Sequence, residues 1–182
     1  MQTEVKINPI MIEKGETKLA IYGLGAIKDE RLHSLFEKGQ VIVNRPTENA
    51  DDSFNIFVIH QNRVAHGKKN YIPETFLESF LDLVIWGHEH ECRLRPEYNE
   101  LKEFYVTQPG STVITALCES EAVKKCVGIL KIHKKKFKLE PIELKSTRPF
   151  LMDSIALKSF NISKTDKNLE AKIEKACANK VN

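Results

Sequence analysis

Three histidines follow apolar segments of the sequence at positions where their side chains could meet. His60 comes directly after the apolar run 54–59, and the string Gly-His-Glu-His, which contains His88 and His90, follows the run 83–86. Neutral imidazole is the commonest protein ligand for metals such as zinc, manganese and iron. The three residues therefore predict a metal site. The competing interpretation is that each is a hydrogen-bonded structural residue at the end of a strand.

The segments that must position these histidines have the pattern of an α/β fold. The runs 54–59 and 83–86 are short and β-rich, as in buried strands, and an earlier strand covers 19–22. If the first two lie side by side and parallel, their carboxyl ends bring the three imidazoles to one edge of the sheet. We expect Gly87 to allow the tight turn that points His88 and His90 inward while Glu89 turns away.

Helices are expected between these strands. Asp29 can cap a helix that ends at Gly39, and the apolar stripe of residues 76–81 after Pro73 predicts a second helix. On the first helix His33 is expected on an exposed face, and His66 and His133 are expected to be solvated.

The carboxylates near the histidines lie at the wrong ends of the strands. A two-metal phosphodiesterase holds its ions roughly 3.5–4 Å apart and needs a bridging carboxylate. Asp51, Asp52 and Asp82 all precede strands, which makes them loop or boundary residues. Three imidazoles and a water suit zinc, whereas manganese favours oxygen-rich surroundings. These histidines by themselves should therefore prefer zinc.

The second half of the chain changes character. Runs at 104–106, 113–117, 127–132 and 137–144 predict an antiparallel meander. A lysine-rich helix is expected from about Ser163, with an apolar stripe of Leu169, Ile173 and Ala176. Strands alternating with helices, followed by a meander, indicate an α/β sandwich.

Composition sets limits on the partners. The chain has 182 residues and a net charge of +3, so bulk charge does not argue for nucleic acid. No apolar run approaches the roughly 20 residues that span a bilayer, and we expect no membrane contact. The four cysteines lack C-x-x-C spacing, which argues against a zinc ribbon, and Cys118 and Cys126 are expected in the core.

Basic residues offer weaker candidates for phosphate contacts. Lys134, Lys135 and Lys136 lie in a cluster around an expected hairpin turn, and Arg63 follows His60 closely. A guanidinium fork or clustered ammonium groups can bind phosphate. For the lysines, a solvated turn is the favoured interpretation.

Several strings resemble one known family. They are 21–25 (IYGLG), 29–32 (DERL), 57–63 (FVIHQNR), 82–92 (DLVIWGHEHEC), 108–111 (QPGS) and 121–125 (EAVKK). Over roughly residues 5–160 the chain resembles the eukaryotic meiotic recombination eleven family, the nuclease subunit of the MRN double-strand-break repair complex. This family lies within the calcineurin-like metallophosphoesterase superfamily. The string Gly-His-x-His alone would indicate only that wider superfamily.

The resemblance implies a fold and an activity. Residues 1–145 would be the C-terminal part of a metallophosphoesterase domain, half of a two-sheet sandwich flanked by helices. Residues 146–182 would begin a DNA-binding capping domain. Two manganese ions would sit at strand ends, with His60 and His88 resembling ligands of one ion and His90 a ligand of the other. The reaction would be 3′–5′ exonuclease and single-strand endonuclease cleavage of DNA.

The resemblance also implies partners and a difference from the family. Besides DNA, the partners would be a second copy, the ATPase and a nibrin-like subunit, in the nucleus. The family's Asp-x-His, Gly-Asp and Gly-Asn-His-Asp motifs do not occur here, so no catalytic residue is assigned. A fragment, an incomplete gene model and a natural remnant remain open. The alternatives are a non-catalytic DNA-binding or dimerising protein and a different metallophosphatase.

Overall fold

The computed structural model describes residues 4–48, 50–162 and 165–181, which form two compact units. The first unit ends at Phe150 and the second begins at Leu151. The strands are β1 (Val5–Ile7), β2 (Ile10–Lys14), β3 (Thr17–Gly23), β4 (Val41–Val43), β5 (Ser53–His60), β6 (Leu83–Gly87), β7 (Arg93–Asn99), β8 (Phe104–Gln108), β9 (Cys126–His133) and β10 (Lys136–Glu143). The helices are α1 (Asp29–Glu37) and α2 (Leu169–Val181), with 3-10 turns at Glu74–Phe76, Glu119–Glu121 and Leu157–Phe160.

A six-stranded mixed sheet organises the first unit. Its strand order is β2-β3-β5-β6-β8-β7, with β3, β5, β6 and β8 mutually parallel and the two edge strands antiparallel to their neighbours. His60 pairs in register with Gly87, so the carboxyl ends of β5 and β6 lie together. The α/β class and the parallel arrangement of the histidine-bearing strands are therefore confirmed.

The larger core lies on one face of this sheet. It joins Tyr22, Phe57 and Trp86 of three parallel strands to Leu32 of α1 and to Ile72 of the loop before β6. The central strands are buried on both faces, which explains their nearly continuous apolar sequences.

The β9–β10 hairpin covers part of the opposite face. Its Phe137 packs with Phe54 and Leu83 of the sheet. At the hairpin turn, the Lys135 ammonium donates to Asp82 Oδ2 at 2.6 Å, and Asp82 also accepts from the Asn55 backbone N–H at 2.7 Å. These bonds attach the turn to the amino-terminal ends of β5 and β6. Asp82 is thus a boundary residue, as predicted.

The helix expected after Pro73 does not form. Only the 3-10 turn Glu74–Phe76 is present, and Leu77 is extended with φ −78° and ψ 157°. Leu77 and Leu81 are nevertheless buried in the core. The apolar residues that the spacing assigned to one face of a helix therefore point inward from an irregular segment that passes over the sheet. Tertiary packing overrides the local helical pattern here.

The predicted meander is correct only for β9 and β10, which form an antiparallel hairpin. Residues 113–117 are not a strand, and β8 runs parallel to β6. The prediction missed β7, which contains Pro96 and has a single buried residue, Leu94. Such a sequence is compatible with an edge strand because a proline there need not donate to the ladder.

His33 is 6% exposed rather than solvated, because its Nδ1 lies 2.8 Å from the Tyr71 carbonyl oxygen and its ring packs on Phe76. Cys118 and Cys126 are half-buried rather than in the core.

The predicted start of the last helix, Ser163, lies outside the described residues. No helix among the described residues is long and apolar enough to cross a membrane.

Shortening Leu83 tests the packing of the hairpin on the sheet. Leu83 is fully buried beneath the hairpin, so we expect Leu83→Ala to lower the free energy of unfolding by about 2–5 kcal/mol. The matched control is Leu101→Ala at an exposed turn, with an expected change within about 0.5 kcal/mol. Urea unfolding followed by tryptophan fluorescence measures both. Equal midpoints for the two variants would contradict this packing.

Candidate metal-binding site

A cavity of about 410 Å³ opens where β5 and β6 end, and all three predicted histidines line it. The rings of His60 and His88 contact each other edge to face, with centroids 5.3 Å apart and planes at 84°. Their nearness follows from the parallel register of the two strands. The other lining residues are Val58, Ile59, Ile85, Gly87, Glu89, Pro109, Gly110 and Ser111.

Gly87 is required for space and not for backbone freedom. A Cβ at this position would lie 2.8 Å from His60 Nδ1, closer than real Cβ contacts allow. The residue with positive φ is His88, at 74°, a left-handed conformation that is uncommon outside glycine but that histidine adopts more readily than most residues. The expected tight turn therefore occurs one residue later than the sequence suggested.

His90 lines the same cavity but is held by a different set of partners. Its side chain is 51% exposed, and its Nδ1 lies 2.6 Å from Thr115 Oγ1 and 3.1 Å from Glu121 Oε1. Sequence reasoning gave neither partner a role. The sequence feature that could have indicated an ion pair here is the i, i+4 spacing of Glu121 and Lys125, within a string that resembles the family.

Glu121 and Lys125 form a buried ion pair behind His90. Their side chains are 0% and 1% exposed, and Lys125 Nζ lies 2.6 Å from Glu121 Oε2. Burial raises the pKa of the Glu121 carboxyl, but hydrogen bonds from Lys125, Thr115 and Ser111 outweigh burial and hold that pKa well below its ordinary value. The carboxylate is therefore charged.

The donor chemistry of the cavity fits a metal ion in part. His60 and His88 form a contacting pair of imidazoles, and His90 presents a third to the same space. In residues 4–48, 50–162 and 165–181, however, no three His, Cys, Asp or Glu side chains are grouped so as to hold an ion. Metal binding by His60, His88 and His90 stays a prediction.

Polar contacts within the first unit fix the segment after His60. The Asp29 carboxylate accepts hydrogen bonds from Gln61 Nε2 at 2.6 Å and Asn62 Nδ2 at 2.9 Å. Asp29 was expected to cap α1, but the N-cap residue is Lys28 and no side chain caps the helix. The indole of Trp86 donates to the Gln61 carbonyl oxygen at 2.8 Å, which ties this segment to β6.

Arg63 is committed to carboxylates within the fold. Its guanidinium is 12% exposed and bonds Glu74 at 2.8 Å and Glu97 at 2.9 Å. Its backbone N–H donates to Glu89 Oε1 at 2.7 Å, which directs this carboxylate to the loop after His60, although Glu89 also lines the cavity of the histidines. A phosphate contact by Arg63 remains a prediction, and this geometry counts against it.

The candidate DNA-binding lysines lie near the other end of the sheet. Lys134 pairs with Glu16 at 3.1 Å, and Lys135 pairs with Asp82 before β6. Lys136 lines a separate groove beside Tyr105. The structure therefore does not bring these lysines together with the histidines, and their contact with DNA remains a prediction.

Comparison with known proteins agrees with this architecture. Residues 137–182 match the family model described as the Mre11 DNA-binding presumed domain. The chain is 53% identical over 154 residues to the double-strand break repair protein MRE11 of Gallus gallus and 51% identical to that of Homo sapiens, in both cases over 85% of this chain and 22% of the relative. The MRE11 protein of Coprinopsis cinerea is 41% identical over 99% of this chain and 25% of its own length.

The mixed sheet and the matched domain together define a partial metallophosphoesterase fold with Mre11-type DNA-binding sequence. The chain belongs to the Mre11 family of double-strand break repair proteins, which confirms the resemblance seen in the sequence. It spans about a fifth to a quarter of the length of the relatives it matches.

The close approach of Gly87 to His60 generates a prediction. In Gly87→Ala the new methyl group must displace the His60 ring, so we expect zinc affinity to fall by roughly tenfold or more. Gly23→Ala is the control, because Gly23 ends a neighbouring parallel strand and a Cβ there meets nothing within 4 Å. Isothermal titration calorimetry with zinc compares the two. Equal affinities in both variants would remove His60 from the site.

Proposed function

We propose that this chain supplies the histidine ligands of a metal-dependent phosphodiesterase site that cleaves DNA in double-strand break repair. The observation that carries the proposal is the contact between His60 and His88 at adjoining strand ends, in one cavity with His90. Imidazoles converging at the carboxyl ends of parallel strands are suited to ligand binding. Similarity to double-strand break repair proteins supports DNA as the substrate.

Each part of the site has a separate task in this proposal. His60 and His88 would bind one ion, and His90 would bind a second. Two divalent ions would supply the positive charge that a phosphodiester displacement requires. Gly87 leaves the space that the His60 ring occupies, and Glu89 holds the loop after His60 through the Arg63 and Val64 backbone N–H groups at 2.7 and 3.0 Å.

The finer features of the proposal follow from the family. They are manganese as the metal of the complete site, 3′–5′ exonuclease and single-strand endonuclease activity, and action on chromosomal DNA in the nucleus. The proposed partners are DNA, a second copy of the protein, the ATPase and a nibrin-like subunit. The match of residues 137–182 to a DNA-binding presumed domain supports DNA among them.

Metal preference provides the first test. Three imidazoles lack the oxygen ligands that manganese favours, so the isolated chain should bind zinc more tightly than manganese. Calorimetry should show zinc binding weakened in both His60→Ala and His88→Ala. His133→Ala is the matched control, because His133 is exposed at the end of β9.

Two results would contradict this part of the proposal. Zinc binding that is unchanged in both His60→Ala and His88→Ala would mean that these histidines are not ligands. Tight binding of two manganese ions per chain would mean that carboxylates assigned here to structural roles complete the site.

Cleavage of DNA provides the second test. The chain should replace the matching segment of the Gallus gallus relative and retain manganese-dependent hydrolysis of end-labelled DNA. His88→Ala in this chimera should lower the rate by at least about two orders of magnitude, since loss of a ligand exceeds the tenfold to hundredfold cost of disturbing an outer partner. His133→Ala should leave the rate unchanged. Full activity in the His88→Ala chimera would contradict the proposal, as would hydrolysis of a small phosphoester with DNA untouched.

A second candidate function is DNA binding without catalysis. The match to a DNA-binding presumed domain, which includes all of β10 except Lys136, favours it. Phosphate contacts would give an affinity that falls with salt. A chimera that retains DNA in a salt-dependent manner but does not cleave it would favour this candidate over the nuclease.

A further inference from the structure

The hydrogen-bonded group behind His90 has a role that the proposed function leaves unassigned. We propose that Glu121 is a positioning residue that, through Thr115, fixes His90 as the Nδ1–H tautomer and leaves the Nε2 lone pair free for a ligand in the cavity. The inference rests on the proposed function only for the nature of that ligand, a metal ion. The tautomer itself follows from the arrangement of donors and acceptors.

The Thr115 hydroxyl has a single hydrogen to donate. Thr115 Oγ1 lies 2.5 Å from Glu121 Oε1 and 2.6 Å from His90 Nδ1. A carboxylate can only accept, so the hydroxyl hydrogen must point to Glu121. The hydroxyl oxygen then presents a lone pair to His90, and His90 Nδ1 must carry the hydrogen between them. The direct approach of Nδ1 to Glu121 Oε1, at 3.1 Å, requires the same hydrogen.

A neutral imidazole has one N–H and one lone pair. With the hydrogen on Nδ1, the lone pair is on Nε2. Ligand histidines in metal sites commonly donate their other ring N–H to a carboxylate, which sets the ring orientation and the basicity of the ligand nitrogen. His90 has this arrangement at Nδ1, through Thr115 and by its direct approach to Glu121.

The buried ion pair ensures that Glu121 accepts and does not donate. Lys125 Nζ donates to Glu121 Oε2 at 2.6 Å, and the Thr115 backbone N–H donates to Oε1 at 3.1 Å. The same ammonium also donates to the His90 carbonyl oxygen at 2.9 Å. The ring and the backbone of His90 are therefore both held by the Glu121–Lys125 ion pair. Glu121 thus positions His90 in addition to neutralising the charge of the buried lysine.

Replacing the carboxylate by an amide should reverse the direction of these bonds. In Glu121→Gln the amide oxygen must face the Lys125 ammonium, so the amide NH₂ faces Thr115. The Thr115 hydroxyl then accepts from the amide and can donate to His90 Nδ1. His90 would change to the Nε2–H tautomer and lose the lone pair that faces the ligand.

Nitrogen-15 NMR of the metal-free chain tests the tautomer. At about pH 8, His90 should show a pyrrole-type Nδ1 and a pyridine-type Nε2. In Glu121→Gln the two signals should exchange their character, whereas Glu119→Gln, at an exposed neighbouring glutamate, should resemble the wild type. An Nε2–H tautomer in the wild type would overturn the inference, and this measurement needs no variant to fold.

Zinc affinity tests the consequence. Glu121→Gln and Thr115→Val, which preserves the buried ion pair, should each lower zinc affinity by about tenfold to a hundredfold, and Thr115→Ser should restore it. Unchanged affinity in both of the first two variants would overturn the positioning role. If the wild type shows the Nδ1–H tautomer but binds no zinc, the proposed metal function fails while the tautomer assignment is supported.

Discussion

The parallel pairing of β5 with β6 is the constraint on which the candidate site depends. In this register His60 lies opposite Gly87, and His88 follows at once in a left-handed conformation. A slip of one residue would exchange the two faces of β6 and separate the imidazoles. The absence of a Cβ at Gly87 is part of the same constraint, because the His60 ring occupies the space that a side chain would fill.

Buried polar contacts maintain the loops around this junction. After β5, the chain is held by the Asp29 carboxylate and by the indole of Trp86. After β6, His90 is held by Glu121 and Lys125. Removing one partner of the Glu121–Lys125 ion pair would leave a buried charge unpaired. The free-energy cost of that unpaired charge is usually larger than the net contribution of the pair to stability. The charged residues around the cavity therefore maintain its shape, and the histidines remain available for ligand chemistry.

The two ends of the sheet have different roles. The histidines lie at the carboxyl ends of β5 and β6, and the lysine-rich hairpin turn attaches near the amino ends through Lys135 and Asp82. Several lysines that clustered in the sequence are paired with carboxylates, including Lys131 and Lys138 with Glu140. These lysines thus take part in ion pairs within the fold.

The sequence by itself determined the features that depend on local pattern. The strands β3, β5 and β6 were predictable because each is a short apolar run with β-branched and aromatic residues, and the strand-end position of His60 and His88 follows directly from them. The family followed from strings such as His-Gln-Asn-Arg.

Only the tertiary structure decided which side chains contact one another. Arg63 and Glu97 are separated by 34 residues and His90 and Glu121 by 31, so no local pattern links them. The burial of His33 and the irregular path of residues 77–82 have the same cause, since packing against distant residues outweighs the weak preferences of a short segment.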